Sequence, residues 1–178
     1  MSLNACNTTP VVESEANNET TIEVTSDNPD TLLEEGVALS ELGKNEEAIA
    51  RFDQALKLKP DYYQAWHKRG LALSSLGRYK AAIASYDQAL EIEPNKYEIW
   101  YARGNALLNF GKPEAAIASF NKALEIKPDD YIVLTSRGMA LNDLGRYEAA
   151  IANFDQALEI QPDYQNAKKA RASAQREL

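Results

Sequence analysis

The sequence is short of the residues that metal sites and disulfide scaffolds require. It contains a single cysteine, Cys6, and a single histidine, His67. One thiol cannot form an internal disulfide, and so few soft ligands cannot build a structural zinc site. The chain also lacks a nucleophile elbow, a phosphate-binding loop and a dinucleotide-binding turn. We therefore expect no catalytic residue, no metal site and no cofactor, and the chain is predicted not to be an enzyme.

Basic charge and long apolar runs are scarce as well. The chain has 27 acidic and 19 basic residues, which gives a formal net charge of −8. A surface that binds nucleic acid needs a basic stripe, and a membrane helix needs about 20 consecutive apolar residues. The sequence has neither, so we expect no nucleic-acid partner and no insertion into a membrane.

Most of the acidity belongs to residues 1–28, which carry five acids and no base, or −5 of the total −8. This segment has too few apolar residues to offset the entropy of ordering it, so it is predicted to be a flexible acidic tail. Its β-prone stretch around Ile22 and Val24 leaves open that the tail docks in the chain's own groove. Cys6 would matter in a lipid-anchored envelope protein, which would require an apolar leader upstream.

The rest of the chain repeats with a period of 34 residues. A proline and two glycines recur in each period, and four registers with one spacing indicate an internal repeat. The recurring residues are Pro60, Pro94, Pro128 and Pro162; Gly36, Gly70, Gly104 and Gly138; and Gly43, Gly77, Gly111 and Gly145.

Each unit has the pattern of two helices. Apolar residues recur at intervals of three and four around Trp66 and again around Tyr86, as one face of a helix requires. Gly77 lies between the two segments, where a left-handed glycine ends the first helix. Pro94 follows the second segment and stops it. At the start, Asn28 is a capping residue and proline follows it at the first helical position.

These residues resemble the tetratricopeptide repeat (TPR) family. The resemblance implies an all-α fold, an alpha-alpha superhelix built from antiparallel helix pairs, that acts as a protein-interaction scaffold. The usual leucine before the first glycine is replaced by arginine, a variant seen in bacterial members. The second unit matches the family pattern at Trp66, Gly70, Leu73, Ala82, Tyr86, Ala89 and Pro94, and the third at Trp100, Gly104, Leu107, Ala116, Phe120, Ala123 and Pro128.

The period divides the chain into four repeats and a cap. The predicted boundaries are residues 29–62, 63–96, 97–130 and 131–164 for the repeats, and 165–178 for a capping helix. An amphipathic helix pair cannot bury its apolar face alone, so stacked units build the core and the array needs polar ends. In the cap, Ala167, Ala170 and Ala174 form a narrow apolar edge suited to that role.

In the first helix of each repeat, positions 2, 5, 9 and 12 form a face that lines the concave groove in this family. Their identities change from unit to unit, so this face is where specificity is expected. The competing interpretation is that these residues pack between adjacent first helices. The candidate site residues, chosen from this face and its neighbour Asn109, are Leu33, Val37, His67, Leu71, Tyr101, Asn105, Leu108, Asn109, Ile132, Thr135, Met139 and Asn142.

The composition of this face narrows the ligand. The positions that form a carboxylate clamp in chaperone-binding members hold Leu33, Val37, Lys68, Glu98 and Ala102 here, so recognition of an acidic C-terminal tail is not expected. Asn105, Asn109 and Asn142 offer amides that hydrogen-bond an extended peptide backbone. The other groove residues are mostly apolar, which favours an apolar peptide or helix as the ligand.

The arginines of the variant motif, Arg69, Arg103 and Arg137, recur once per repeat. One interpretation is an anion-binding ladder. The favoured interpretation is structural pairing with acids such as Asp53, Asp87 and Asp155, a series that Asn121 interrupts.

The function predicted from the sequence is a non-catalytic scaffold whose groove binds a peptide or helix of a partner protein. The alternative is an assembly factor, or a secretion or envelope chaperone-like adaptor, for a specific multiprotein complex. A cytoplasmic monomer is expected, with the bacterial cell envelope as the alternative location if a leader precedes this sequence.

Overall fold

The computed structural model describes residues 28–178, and within that range the chain forms helices and no strand. The predicted tail, Cys6 and the Ile22–Val24 stretch lie outside the described residues. The helices of this range pair as α1 with α2, α3 with α4, α5 with α6 and α7 with α8, and α9 follows. Their bounds are α1 Pro29–Glu41, α2 Asn45–Leu58, α3 Tyr63–Ser75, α4 Tyr79–Ile92, α5 Tyr97–Asn109, α6 Pro113–Ile126, α7 Tyr131–Asp143, α8 Tyr147–Ile160 and α9 Gln165–Ala174.

The first helix begins as the sequence predicts. The Asn28 side chain accepts a hydrogen bond of 2.9 Å from the backbone N–H of Asp30. Pro29 occupies the first turn, where its missing N–H costs no hydrogen bond. The fourth repeat uses the same device with another residue, because the Asp130 carboxylate accepts from the N–H groups of Ile132 and Val133.

The turn inside each helix pair depends on a left-handed glycine. Gly77 has a φ of +72°, a conformation that clashes for residues with a Cβ. The turn closes with two hydrogen bonds of 2.9 Å, from Gly77 N–H to Ser74 O and from Arg78 N–H to Leu73 O. The other three pairs turn in the same way, so the glycine predicted to end each first helix does so.

The two helices of a pair are in close contact at the glycine in the middle of the first helix, which is Gly70 in the second repeat. A Cβ built on Gly70 would lie 2.4 Å from Cε1 of Tyr86, whose ring is 1% exposed. Ala82 and Ala89 beside it are fully buried. The aromatic ring therefore packs against bare backbone, and the prediction that these small residues permit a close approach is confirmed.

Two polar contacts tie successive repeats together. The indole Nε1 of Trp66 donates a 2.9 Å hydrogen bond to the carbonyl of Pro60. Arg69 Nε donates to Asp53 of the preceding repeat at 2.7 Å, and its Nη1 donates to Ser85 at 2.7 Å. Each such arginine thus links the second helix of one repeat to the second helix of the next.

The same pair of hydrogen bonds recurs at Arg103. Its Nε donates to Asp87 Oδ1 at 2.6 Å, and its Nη1 donates to Ser119 Oγ at 2.7 Å. The predicted pairing of Arg69 and Arg103 with Asp53 and Asp87 is therefore confirmed.

The interruption of the acidic series at Asn121 is confirmed, and the expected pairing of Arg137 with Asp155 is wrong. Each of the three arginines contacts the residue 16 positions before it, which for Arg137 is Asn121. Arg137 Nε donates to Asn153 Oδ1 at 2.7 Å, and its Nη1 donates to Asn121 Oδ1 at 2.9 Å. Burial lowers the pKa of this guanidinium. Asp155 instead binds Arg171 of α9 at 2.7 Å.

Helix α9 packs on the fourth repeat. Ala167 and Ala174 are fully buried against the fourth repeat, while Lys168 and Lys169 are exposed. The predicted arrangement of four repeats and a capping helix fits the described residues. None of the described helices has both the length and the apolar character required to cross a membrane.

Candidate binding groove

The first helices of the repeats, α1, α3, α5 and α7, lie side by side and continue into α9. Between them the structure has several open pockets, and most of the predicted site residues line these pockets. Two pockets share Tyr101 and are described first, as the central pocket and the C-terminal pocket.

The central pocket lies between α3 and α5 and has a volume of about 370 Å³. Most of its accessible wall is apolar, and polar groups from the side chains of Ser74, Asn105 and Asn109 border it. Its lining residues are His67, Leu71, Ser74, Tyr79, Tyr86, Glu98, Tyr101, Ala102, Asn105, Ala106 and Asn109.

The floor of the central pocket is rigid and electrically neutral. Tyr86 packs under it with its hydroxyl 3.2 Å from Ser74 Oγ, and burial raises the pKa of Tyr86 to about 12. The His67 ring centroid lies 6.1 Å from that of Tyr86, with the two rings tilted by 56°. Burial, with a smaller contribution from Lys68, lowers the pKa of His67 to about 4. At neutral pH both side chains are therefore uncharged.

One side chain gives the central pocket its charge. The carboxylate of Glu98 makes no hydrogen bond or ion pair with any residue between 28 and 178. Within the same range, the Asn105 amide and the Tyr101 hydroxyl also have no hydrogen-bond partner. These three groups border the pocket with unused hydrogen-bonding capacity.

The C-terminal pocket lies between α5, α7 and α9 and has a volume of about 580 Å³. Ile132 and Met139, which are 37% and 46% exposed, form its apolar wall. Thr135 is 2% exposed, and its hydroxyl donates to the carbonyl of Tyr131, so it contributes little accessible surface. The pocket is lined by Tyr101, Ile132, Thr135, Ser136, Met139, Tyr164, Asn166, Lys169 and Ala170.

Two smaller cavities continue the groove toward the first repeat. One, of about 260 Å³, lies beside Glu98 and is bordered by Lys68 and Lys96. The other, of about 210 Å³, is bordered by Val37, Ser40 and Leu71. Nearer the start of the array, Asp30 accepts a 2.6 Å hydrogen bond from the buried Tyr62 hydroxyl, so its carboxylate already has a partner.

The predicted site residues do not all reach these pockets. His67, Leu71, Tyr101, Asn105 and Asn109 meet in the central pocket. The C-terminal pocket brings together Tyr101, Ile132, Thr135 and Met139, and Val37 borders the smallest cavity.

Three other predicted residues lie outside the pockets. Leu33 and Leu108 are half-buried and pack against the core. The Oδ1 atom of Asn142 is buried without a partner among the described residues.

The sequence reasoning missed Tyr164 and Lys169 of the C-terminal pocket. A signal was present, since Lys169 lies 34 residues after Thr135 and so occupies groove position 5 of a fifth unit. Because α9 is predicted from the sequence only as a cap, the candidate site residues do not include Lys169. A capping helix also offers one face to the groove. The lining of the C-terminal pocket therefore contains a lysine, whereas the lining of the central pocket contains Glu98.

Among residues 28–178, no group of three or more His, Cys, Asp and Glu side chains is placed to hold a metal ion. What the arrangement can do is bind. Its two adjoining pockets, central and C-terminal, have apolar walls, and their linings carry two free amide or hydroxyl groups and two unpaired charges of opposite sign.

The comparisons with known proteins agree with the repeat fold. The family model described as Tetratricopeptide repeat matches residues 33–97, 67–131, 101–165 and 135–178. None of the curated proteins that were compared matches the chain significantly in sequence.

Solved structures share the fold. A structure of MamA superposes with a TM-score of 0.79 at 19% identity, over 84% of this chain and 81% of that one. A second MamA structure is 26% identical, has a TM-score of 0.74 and covers 82% of both chains. YrrB, described as a TPR protein with an unusual peptide-binding site, has a TM-score of 0.74 at 23% identity, over 86% of this chain and 79% of its own.

Proposed function

The chain belongs to the tetratricopeptide repeat family, and from this premise we propose that it is a non-catalytic scaffold whose groove binds a peptide or helix of a partner protein. Members of this family are generally non-catalytic scaffolds, which supports the first part. The second part rests on the pockets between the first helices.

The observation that carries the proposal is the central pocket. The buried contact beneath it, between Gly70 and Tyr86, has an equivalent glycine–aromatic contact in every unit. The residues that face the opening differ between units. Selection of one ligand requires variable side chains held on a rigid support. His67 and Tyr101 are variable residues of this kind, and both lie over buried aromatic rings.

The free polar groups suit a peptide. An asparagine side chain offers a donor and an acceptor side by side, which matches the N–H and C=O groups of one residue in an extended backbone. Asn105 is free to do this, while the apolar walls receive side chains. Tyrosine is enriched among the central residues that contribute most to the binding energy of an interface, and Tyr101 borders both pockets. The peptide-binding site named for YrrB gives a precedent on the same fold.

The experiment combines Tyr101→Ala with Asn105→Ala. A partner captured from source lysate by the intact protein is purified, and its binding to both proteins is measured by calorimetry. We expect the double variant to bind at least about ten-fold more weakly, because it removes one aromatic anchor and one backbone-binding amide.

The matched control replaces two exposed residues of the second helices, Lys122→Ala with Gln156→Ala. It is expected to bind as the intact protein does, and both variants should retain the helical circular dichroism. Equal affinity of the groove variant and the intact protein would show that the partner binds elsewhere.

A further inference from the structure

The two pockets of the groove differ in charge. Glu98 is the one ionised side chain in the lining of the central pocket at neutral pH, and Lys169 is the one in the lining of the C-terminal pocket. Within residues 28–178, neither forms a hydrogen bond or ion pair.

We propose that the groove selects a short extended segment with a basic residue at one end, an acidic residue at the other and apolar side chains between them. This inference rests on the proposed function and adds the chemical class of the ligand. Its basic end would pair with Glu98 and its acidic end with Lys169. Its apolar side chains would lie on either side of Tyr101, which borders both pockets.

The spacing of the charges follows from the packing. Glu98 begins α5 and Lys169 lies in α9, with α7 between and in contact with both. Packed helices lie about 8–10 Å apart, so the two charged helices are separated by about 16–20 Å. An extended chain rises about 3.3 Å per residue, so about five or six residue steps span this distance. In such a chain alternate side chains face the groove, which suits apolar residues at every second position.

Two further lysines lie close to Glu98 but outside the central pocket. Lys68 and Lys96 border the smaller cavity on the other side of Glu98, and Lys96 Nζ lies 5.4 Å from the Tyr63 ring centroid. Neither lysine is among the residues that line the central pocket.

The chain's own N-terminal segment fits this description poorly. Residues 1–27 contain five acids and no lysine or arginine. Such a segment can supply the acidic end that Lys169 needs but has no side chain to pair with Glu98. The charge pattern therefore favours a segment of another protein.

The test uses the full chain and four kinds of synthetic peptide with blocked ends. The bipolar peptide is Lys-Ser-Leu-Ser-Leu-Ser-Asp, prepared also in the reverse order because the chain direction is open. In the other three, both ends are lysine, both are aspartate, or both are serine. Affinities are measured by chemical-shift titration of isotope-labelled protein. We expect the bipolar peptide to bind tightest, with each matched charge contributing about two- to five-fold at low salt.

Charge reversal makes the prediction specific. Lys169→Glu should make the peptide with two lysines the preferred ligand, and Glu98→Lys should make the peptide with two aspartates preferred. The protein with both substitutions should again prefer the bipolar peptide, bound in the opposite direction. A merely structural role for either residue would change affinities without inverting the order of preference.

Three results would overturn the inference. The first is a bipolar peptide that binds no tighter than the serine peptide, or that does not bind at all. The second is an order of preference that the reversals leave unchanged. The third is a tightest ligand with two aspartates, bound through Lys68 and Lys96.

Tyr101→Ala separates this inference from the proposed function. If it weakens all four peptides equally while charge has no effect, the groove binds peptides and only the charge assignment fails. If it changes no affinity, the groove assignment itself is wrong.

Discussion

The buried face and the groove face of the first helices follow opposite rules. On the buried face, a Cβ built on Gly36, Gly70 or Gly104 would lie 2.4 Å from the same atom of an aromatic ring, and at Gly138 the distance is 2.5 Å. On the groove face, a single position reads Leu33, His67, Tyr101, Thr135 and then Lys169. The buried face thus repeats one glycine–aromatic contact four times, whereas the groove face has a different residue at the same position in each unit.

This difference shows how a repeat array separates stability from recognition. A ring packed on bare backbone leaves no room for variation, because protein interiors are close-packed and a single added methyl group is felt. The groove face is partly open to solvent, so its side chains change with small effects on the free energy of unfolding. Neighbouring residues on one helix can therefore serve different purposes.

The largest expected effect comes from Gly104→Leu, which breaks the rule of the buried face. The new side chain would collide with Phe120, which is fully buried and has no space to move into. We expect a loss of about 3 kcal/mol or more in the free energy of unfolding, measured by urea denaturation followed by circular dichroism. The matched control is its neighbour on the groove face, Asn105→Ala, which should change stability by no more than about 0.5 kcal/mol. Equal effects of the two substitutions would contradict the separation described here.

His67 belongs to the groove face but lies partly buried beside Tyr86. We therefore expect the free energy of unfolding to depend on its protonation, and so on pH. Burial, with Lys68 second, lowers its pKa from 6.5 to about 4, while Glu98 acts in the opposite direction. The unfolded chain therefore takes up a proton at this residue before the folded chain does. Its contribution to stability is complete above pH 6.5 and falls as the pH drops toward 4.

The measurement compares the intact protein with His67→Gln at several pH values. On going from about pH 7 to about pH 4.5, the intact protein should lose on the order of 1–2 kcal/mol more than the variant. Carboxylates that titrate in the same range affect both proteins equally, and the difference isolates the histidine. Parallel stability curves would mean that His67 is as accessible to protons in the folded chain as in the unfolded one.

The smallest expected effect concerns Arg137, the repeated arginine whose partner 16 residues earlier is Asn121 and not an aspartate. Asn121→Asp gives Arg137 the carboxylate that Arg69 and Arg103 already have. We expect a gain of about 0.5–1 kcal/mol, because the pair is only partly exposed. The gain should disappear when Arg137 is changed to Gln, and a double-mutant cycle of the four proteins measures it. A gain that persists without the arginine would show that the ion pair is not its cause.

Much of this fold was predictable from local chemistry. The caps, the left-handed glycines and the prolines act within a few residues, so they are visible in sequence without knowledge of the packing. Asn28, Gly77 and Pro94 each end or begin a helix where the pattern indicates. The close approach at Gly70 was also predictable, because a glycine and two alanines at fixed spacing allow two helices to pack closely.

The partners of side chains between repeats were less predictable. Arg137 was expected to join an acidic series that included Asp155, but the stacking pairs it with Asn121 and Asn153. The groove was predicted in outline, and yet Leu33 and Leu108 pack inward, Thr135 is buried and α9 contributes Lys169. Each of these outcomes depends on how far one unit rotates on the next, which no single repeat determines.

The sequence by itself therefore determined the helices, their turns and the number of units, since period, capping and glycine placement are local and repeated four times over. Only the tertiary structure decided which groove positions face solvent, where the pockets open and which charges have no partner. The physical reason is that these properties belong to the space between helices. Glu98 and Lys169 lie 71 residues apart in the chain, and stacking alone brings them to the same groove.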